Sequence, residues 1–141
     1  MSRTLLLLVV TLTPGSLVAQ ESRADSSGKI SVLTGVYSTA QARRGESTHR
    51  KHCTECHNAV AYSGTAFRRL WAGRPVYEFW DQIRSTMPND SPGSLKPGEY
   101  LDILAHVLRL NGYPAGDNAL PSDPEQLRTI RFDLLPAPGN R

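Results

Sequence analysis

The stretch CTECH, Cys53 to His57, is the feature that most constrains how this chain can fold. It holds both cysteines of the chain, and His49 and His52 precede it closely. Two cysteines at this spacing on a helix project to the same side. Five soft metal-ligating side chains therefore gather at one point, and the rest of the chain has to fold around it.

The N-terminal residues have the order of a secretory signal peptide. Arg3 precedes an almost wholly apolar run over residues 5–12, and the small residue Ala19 follows. This run is far shorter than the roughly 20 residues of a membrane-spanning helix. We expect residues 1–19 to be a cleaved signal peptide and the protein to be exported, with a cut after Ala24 as the alternative.

The remaining chain has the size of one small domain with tails. The sequence of 141 residues has a formal net charge of +3, which is too mild to indicate nucleic-acid binding on its own. Residues 20–34 are small and polar, and we expect a flexible leader there. The domain is placed at residues 35–116, followed by a C-terminal tail, residues 117–141, packed on it.

A helix is predicted directly before the CTECH stretch. Ser38 can cap it, and Gln41 is placed to complete a capping box. Gly45 costs about 1 kcal/mol relative to alanine inside a helix, so its presence predicts that another helix crosses closely over it. The residues that share one face at spacings of three and four are Ala42, Gly45, His49, Cys53 and Cys56.

Two further helices are predicted downstream, which makes the chain all-α. The first begins at Pro75, a good first helical residue, and ends before Pro88. The second starts at Pro97 and ends at the stop signal formed by residues 111–112. Weaker helical turns are expected over FRRLW and near residues 125–130, and no convincing pair of strands appears.

Four kinds of site use cysteine and histidine in this way. A redox dithiol normally follows a strand at a helix N-terminus, whereas this motif ends a helix. A structural zinc site normally draws its ligand pairs from separated segments, and a disulfide between Cys53 and Cys56 would stabilise little. The pattern favours a covalent haem, in which both cysteines form thioethers and His57 is the proximal iron ligand.

The second axial ligand is predicted to be Met87. Met1 lies in the predicted signal peptide, so Met87 is the only methionine of the mature chain. Because it also ends a helical stripe that begins at Val76, a role in core packing is the alternative. Pro88 stiffens the loop that carries it, and a thioether ligand would favour ferrous iron.

These motifs resemble those of class I monohaem cytochromes c of the bacterial periplasm. The resemblance rests on CTECH, the glycine-bearing helix before it, STMP with Met87, and the final helix YLDILAHVLRLNG, and it covers about residues 36–116. More narrowly, residues 80–116 resemble small cytochromes c that accompany pyrroloquinoline quinone dehydrogenases. The resemblance implies a cytochrome c fold of three to five helices wrapped around one covalently bound haem c.

The resemblance also implies a soluble periplasmic electron carrier and no enzyme. Cys53 and Cys56 would attach the haem, with His57 and Met87 as iron ligands. The implied partners are redox proteins, such as a quinoprotein dehydrogenase as donor and a terminal oxidase or another cytochrome as acceptor. No nucleic acid and no transmembrane segment are expected. A haem enzyme or gas sensor with an open distal site is the alternative.

The sequence departs from this family pattern at three places. His49 and His106 stand where an aromatic residue of the first helix usually faces one of the final helix. We expect these imidazoles to meet and burial to favour their neutral form. The Gly-Pro that usually steadies the proximal histidine is missing, so a carbonyl of AVAYSG is expected to replace it.

The pocket and a docking surface can also be predicted. Trp71 or Arg74 is expected near a haem propionate, and a surface position in the WAGRP turn is the alternative for either residue. From Arg43 to Arg74 the chain has seven basic and two acidic residues. This charge predicts a docking surface for an acidic partner, and an ordinary solvated surface is the alternative. The apolar residues expected around the haem are Phe67, Trp71, Phe79, Trp80, Ile83, Tyr100 and Leu104.

Overall fold

The computed structural model describes residues 28–136, so the predicted signal peptide lies outside the described residues. The five helices are α1 (Thr39–His52), α2 (Gly64–Trp71), α3 (Val76–Thr86), α4 (Pro97–Leu110) and α5 (Pro124–Thr129). Two short strands, β1 (Ile30–Ser31) and β2 (Ile130–Arg131), pair in parallel, and single 3-10 turns cover Val32–Thr34 and Ala59–Tyr62. The helical architecture is confirmed, and the small strand pair is an addition to it.

The cap predicted for α1 is only half correct. The hydroxyl of Ser38 accepts a hydrogen bond from the Gln41 N–H at 3.2 Å, as expected. The side chain of Gln41 does not complete a capping box. It is buried, and its Oε1 accepts from the Leu120 N–H at 2.8 Å. Gln41 therefore ties α1 to the C-terminal segment, because a buried backbone N–H needs an acceptor.

Helices α1 and α4 cross closely at Gly45. A side-chain carbon built on Gly45 would overlap the backbone of Asp102 and Ile103. The predicted close approach is confirmed, since only glycine leaves the space that the α4 backbone occupies. Next to this crossing, Arg44 donates two hydrogen bonds to the Asp102 carboxylate, both at 2.9 Å.

Helix α4 lies at the centre of the domain. Its first residue, Pro97, has a φ suited to the start of a helix. The side chain of Glu99 accepts from the Lys96 N–H at 2.8 Å and stabilises this end. Helix α4 contacts both α1 and α3. Eight of its residues are buried: Tyr100, Leu101, Ile103, Leu104, Ala105, His106, Val107 and Leu108.

The structure differs from the flexible leader expected through residue 34. Ile30 pairs with Ile130 and Ser31 with Arg131, and Val32 is fully buried. The chain is therefore ordered from Ile30 onward. The cause is pairing with a distant part of the chain, which the local polar composition of the leader did not indicate.

The C-terminal segment packs on the domain. Leu127 and Phe132 are fully buried, whereas Leu134 is exposed. Backbone hydrogen bonds fix this segment to the turn after α2: the Phe132 carbonyl accepts from Gly73 at 2.7 Å, and its N–H donates to the Arg74 carbonyl at 3.0 Å. The ring of Phe132 contacts the rings of Phe67, Trp71, Phe79 and Tyr113.

Candidate functional site

The CTECH segment forms a turn directly after α1, which ends at His52. The N–H groups of Cys56 and His57 both donate to the Cys53 carbonyl, at 3.3 and 2.9 Å. Cys53 is half-buried, and burial raises the pKa of its thiol, while Cys56 is exposed. The cysteines therefore project from a turn and not from the helix itself, which corrects the expectation drawn from their spacing.

A cavity of about 450 Å³ opens beside this turn. Its lining is mostly apolar and comes from α1, the Ala59–Tyr62 turn, α2, α3 and α4, together with the loop after α3. Sites for cofactors and small ligands commonly have volumes of about 300–1,000 Å³ and a similar apolar character. The cavity is therefore large enough and apolar enough to be a cofactor site.

Three of the four predicted haem-binding residues, Cys53, His57 and Met87, line this cavity. The fourth, Cys56, is exposed and is not among the lining residues. Of the apolar residues expected in the pocket, Trp80 and Leu104 are buried in the core but do not line the cavity. The other five do line it: Phe67, Trp71, Phe79, Ile83 and Tyr100.

Met87 is fixed to two helices. It caps α3, and its N–H donates to the Ile83 carbonyl at 3.0 Å. The peptide bond between Met87 and Pro88 is cis. Tyr100 of α4 donates its hydroxyl proton to the Met87 carbonyl oxygen at 2.8 Å. The backbone of Met87 is thus anchored to both α3 and α4 where this residue lines the cavity.

Trp71 and Arg74 both line the cavity. That one of them approaches a haem propionate stays a prediction. The guanidinium carbon of Arg74 lies 4.0 Å from the centroid of the Trp71 ring, and its Nε donates to Glu78 at 2.7 Å. Stacking on the indole and the hydrogen bond hold this cation beside the cavity. A guanidinium in this place can bind a carboxylate.

The Ala59–Tyr62 turn contributes residues that the sequence analysis did not assign to the pocket. Tyr62 lines the cavity, and its hydroxyl forms a hydrogen bond with Nε2 of His49. The apolar pattern is lost in this stretch, so the only signal was an aromatic residue in a loop. Val60 and Leu70 also line the cavity but are 78% and 66% exposed, so they form an apolar rim at its mouth.

The carbonyl that was expected to hold His57 is not found. Within residues 28–136, no carbonyl of AVAYSG accepts a hydrogen bond from the His57 ring; the Ala59 carbonyl accepts from Ser63 at 2.6 Å and the Tyr62 carbonyl accepts from Asn111 at 2.9 Å. The Tyr62 ring instead lies nearly perpendicular to the His57 imidazole, with ring centroids 6.4 Å apart. Aromatic packing therefore stands where a carbonyl was predicted.

The two unusual histidines meet between α1 and α4, as predicted, with ring centroids of His49 and His106 5.1 Å apart. Burial lowers the pKa of both imidazoles, that of His106 to about 4. Arg109 lies 3.4 Å from Nδ1 of His106 and forms a salt bridge with Glu46 at 2.6 Å. A chain of polar side chains therefore runs from Tyr62 at the cavity to Glu46 at the surface.

Residues 40–107 match a family model described as cytochrome c oxidase, cbb3-type, subunit III. No curated protein and no solved structure matches the chain significantly. In the part of the chain that the structure describes, no helix has the length and apolar character needed to cross a membrane.

The matched residues extend from α1 into α4 and include CTECH, Met87 and all the residues that line the cavity. The structure has the cytochrome c fold, and the match implies a covalently bound haem c with iron. It supports a haem c electron carrier that exchanges electrons with redox partners. The residues at the cavity fit this cofactor. Cys53, His57 and Met87 provide a thiol, an imidazole and a thioether at an apolar cavity with an aromatic wall, and Cys56, exposed on the same turn as Cys53, provides a second thiol. This is the donor set of a c-type haem.

Proposed function

We propose that this protein is a one-electron carrier in which His57 and Met87 are the axial ligands of the haem iron. The observation that carries the proposal is that Cys53, His57 and Met87, from two separate parts of the chain, line one apolar cavity. Bound haem supplies reversible one-electron chemistry. Met87 contributes a thioether, which favours ferrous iron and raises the reduction potential.

The remaining residues hold the cofactor and shape its surroundings. Cys53 and Cys56 attach it covalently. The aromatic side chains on one side of the cavity exclude water and lower the local dielectric constant, which strengthens electrostatic effects there. Arg74, stacked on Trp71, provides a positive charge for a carboxylate of the cofactor.

We also propose where and with what the protein works. The signal-peptide pattern in residues 1–19 supports export to the periplasm. The resemblance of residues 80–116 to cytochromes that accompany quinoprotein dehydrogenases supports such a dehydrogenase as electron donor. The matched family model is named for an oxidase subunit, which supports a terminal oxidase as the acceptor.

Met87→Leu tests the axial assignment, because leucine nearly conserves volume but removes the sulfur. The wild-type protein, purified with its haem, should exclude carbon monoxide when reduced. The variant should bind carbon monoxide and have a lower reduction potential. Reduced optical spectra with and without carbon monoxide, together with potentiometry, give both results.

The control is covalent attachment. Haem staining on a denaturing gel should persist in Met87→Leu and disappear in the double variant Cys53→Ala, Cys56→Ala. If Met87→Leu still excludes carbon monoxide at an unchanged potential, Met87 is a core residue and the axial assignment fails. If the wild-type protein itself binds carbon monoxide readily, the distal site is open and the protein is a haem enzyme or gas sensor.

A further inference from the structure

The hydroxyl of Tyr100 joins both ends of the loop that follows α3. It donates to the Met87 carbonyl oxygen at 2.8 Å and accepts from the Leu95 N–H at 3.3 Å. Tyr100 is only 1% exposed and lines the cavity, so its ring cannot swing away without opening the core. One buried side chain of α4 thus fixes the start and the end of this loop.

The part of the loop between these two points is polar and exposed. Residues 89–94 are all exposed, and the hydrogen bonds among them are local, such as that from the Ser91 N–H to the Pro88 carbonyl at 3.0 Å. Gly93 also donates to the Met87 carbonyl, but at 3.4 Å. An exposed loop with local hydrogen bonds has low local stability. Its position relative to the cavity therefore depends on its ends.

We propose that Tyr100 is a positioning residue: through the backbone of residues 87–95, it holds the Met87 thioether in place at the cavity. This inference rests on the proposed axial role of Met87. Tyr100 itself contributes no iron ligand. Its hydrogen bonds restrict the backbone that carries the ligand, and so disfavour the displacement of Met87 by a competing molecule.

Tyr100→Phe tests this proposal, since phenylalanine keeps the ring in the core and removes only the hydroxyl. Imidazole added to the ferric holoprotein competes for the distal position, and its affinity is measured by optical titration. We expect Tyr100→Phe to raise this affinity about 3- to 10-fold, the effect of losing the hydrogen bond to the Met87 carbonyl, since the one from the Leu95 N–H is longer. Hydrogen exchange at the Leu95 amide should also become faster.

Tyr37→Phe is the matched control. Tyr37 is also 1% exposed and donates its hydroxyl proton to a backbone carbonyl, that of Tyr113, at 2.7 Å. Tyr37 does not line the cavity. The Tyr37→Phe variant should therefore bind imidazole with an affinity within 2-fold of wild type. An equal rise in both variants would mean that general loss of stability, and not the loop, admits imidazole, and the proposal would be wrong.

A double-mutant cycle with Met87→Leu distinguishes this proposal from the proposed function. If Met87 is the ligand, Met87→Leu alone raises imidazole affinity strongly. Adding Tyr100→Phe to it should then change the affinity less than 2-fold, because no ligand is left to be held. An equal effect of Tyr100→Phe in both backgrounds overturns the positioning role alone. No effect of Met87→Leu overturns the axial assignment and the positioning role with it.

Discussion

The contact between His49 and His106 places two ionisable rings inside the α1–α4 interface. Both rings are at most 6% exposed, and each residue belongs to the helix pair that crosses at Gly45. A protonated imidazole at either position would be shielded from water, which costs free energy. It would also lie close to Arg109 or to the other histidine ring. The interface therefore accommodates both histidines in their neutral form, and their protonation at low pH should destabilise it.

Stability should fall as the pH is lowered from about 6.5 to about 4. Burial, followed by the effect of His49, lowers the pKa of His106 to about 4, although Glu46 opposes this shift and Arg109 and Arg50 add to it. The unfolded chain binds a proton near pH 6.5 and the folded chain only near pH 4. Between these values the unfolded state holds more protons, so the free energy of unfolding decreases, by about 1–3 kcal/mol.

Denaturant unfolding of the holoprotein at several pH values between 4 and 8 measures this loss. His106→Phe should flatten the profile relative to wild type and be tolerated or stabilising at pH 7, since Arg109 keeps its salt bridge with Glu46. His52→Phe, at the end of α1, is the control and should retain the wild-type profile. A His106→Phe protein that loses as much stability in acid as wild type would contradict the assignment.

At the scale of elements, the crossing of α1 over α4 depends on the absence of a side chain at Gly45. Gly45→Ala should destabilise the protein by at least about 2 kcal/mol. The added carbon overlaps the backbone of Asp102, which cannot move like a flexible side chain, and this exceeds the roughly 1 kcal/mol that alanine gains in helix propensity. Thermal unfolding of the holoprotein measures the change.

Gly98→Ala is the matched control for this helix contact. Gly98 lies in the first turn of α4 and has open space around the position of an added carbon. This variant should be neutral or slightly stabilising, by up to about 1 kcal/mol. If Gly45→Ala were equally neutral, the two helices would be able to separate freely, and the close crossing would not contribute to stability.

The elements with local signals were predictable. Pro75 and Pro97 indicated where α3 and α4 begin, and Ser38 indicated the start of α1, because proline and capping residues act on their own neighbours. The strand pair was missed because its residues lie far apart in sequence and have no alternating pattern. Gln41 was assigned to its own helix, although its side chain binds the distant backbone of Leu120.

The candidate site likewise contains residues that local sequence signals predicted and residues that they did not. The spacing of CTECH and the single methionine outside the predicted signal peptide indicated Cys53, His57 and Met87, and these residues do line one cavity. The positions of Tyr62 and of the exposed rim of the cavity were not predicted. They depend on how a turn without a hydrophobic pattern packs against α1. The exposure of Cys56 depends on α1 ending before the motif, which a helical spacing argument does not detect.

At the scale of the whole molecule, the structure changes which cations can attract a partner. Arg44 is neutralised by Asp102, and Arg68 donates to the Asn111 carbonyl and to Thr65. Both lie in the predicted basic segment. The salt bridge offsets the charge of Arg44, whereas Arg68 keeps its charge but is half-buried. Within residues 28–136, four basic residues of that segment are exposed and form no salt bridge: Arg43, Arg50, Lys51 and Arg69.

Electron transfer to an acidic partner should therefore slow as salt is added. Exposed charges act over about 8 Å at physiological ionic strength, and they affect encounter rates more than affinity. Replacing these four cations by glutamate should lower the low-salt rate roughly 10-fold or more. The rate of this variant should rise with added salt, because salt then screens repulsion between two acidic surfaces. Stopped-flow measurement of the second-order rate at several salt concentrations gives both values.

Arg128→Glu provides the comparison, because it changes an exposed cation of α5 outside the basic segment. It should alter the low-salt rate only slightly. If the second-order rate changes neither with added salt nor in the four-residue variant, the partner docks on an apolar surface. Val60 and Leu70 at the rim of the cavity would then be the residues to replace next.

The pairing of β1 with β2 has a consequence for the order of assembly. Ile30 and Ile130 lie about 100 residues apart, and closing a loop of that length is slow and costs entropy before any contact is gained. The helices around the CTECH turn rest on nearer neighbours, so the strand pair should form last. Phe132, which follows β2, would then cover the aromatic wall only after that wall has formed. The pairing of residues 30–31 with residues 130–131 would therefore close over a core that has already formed.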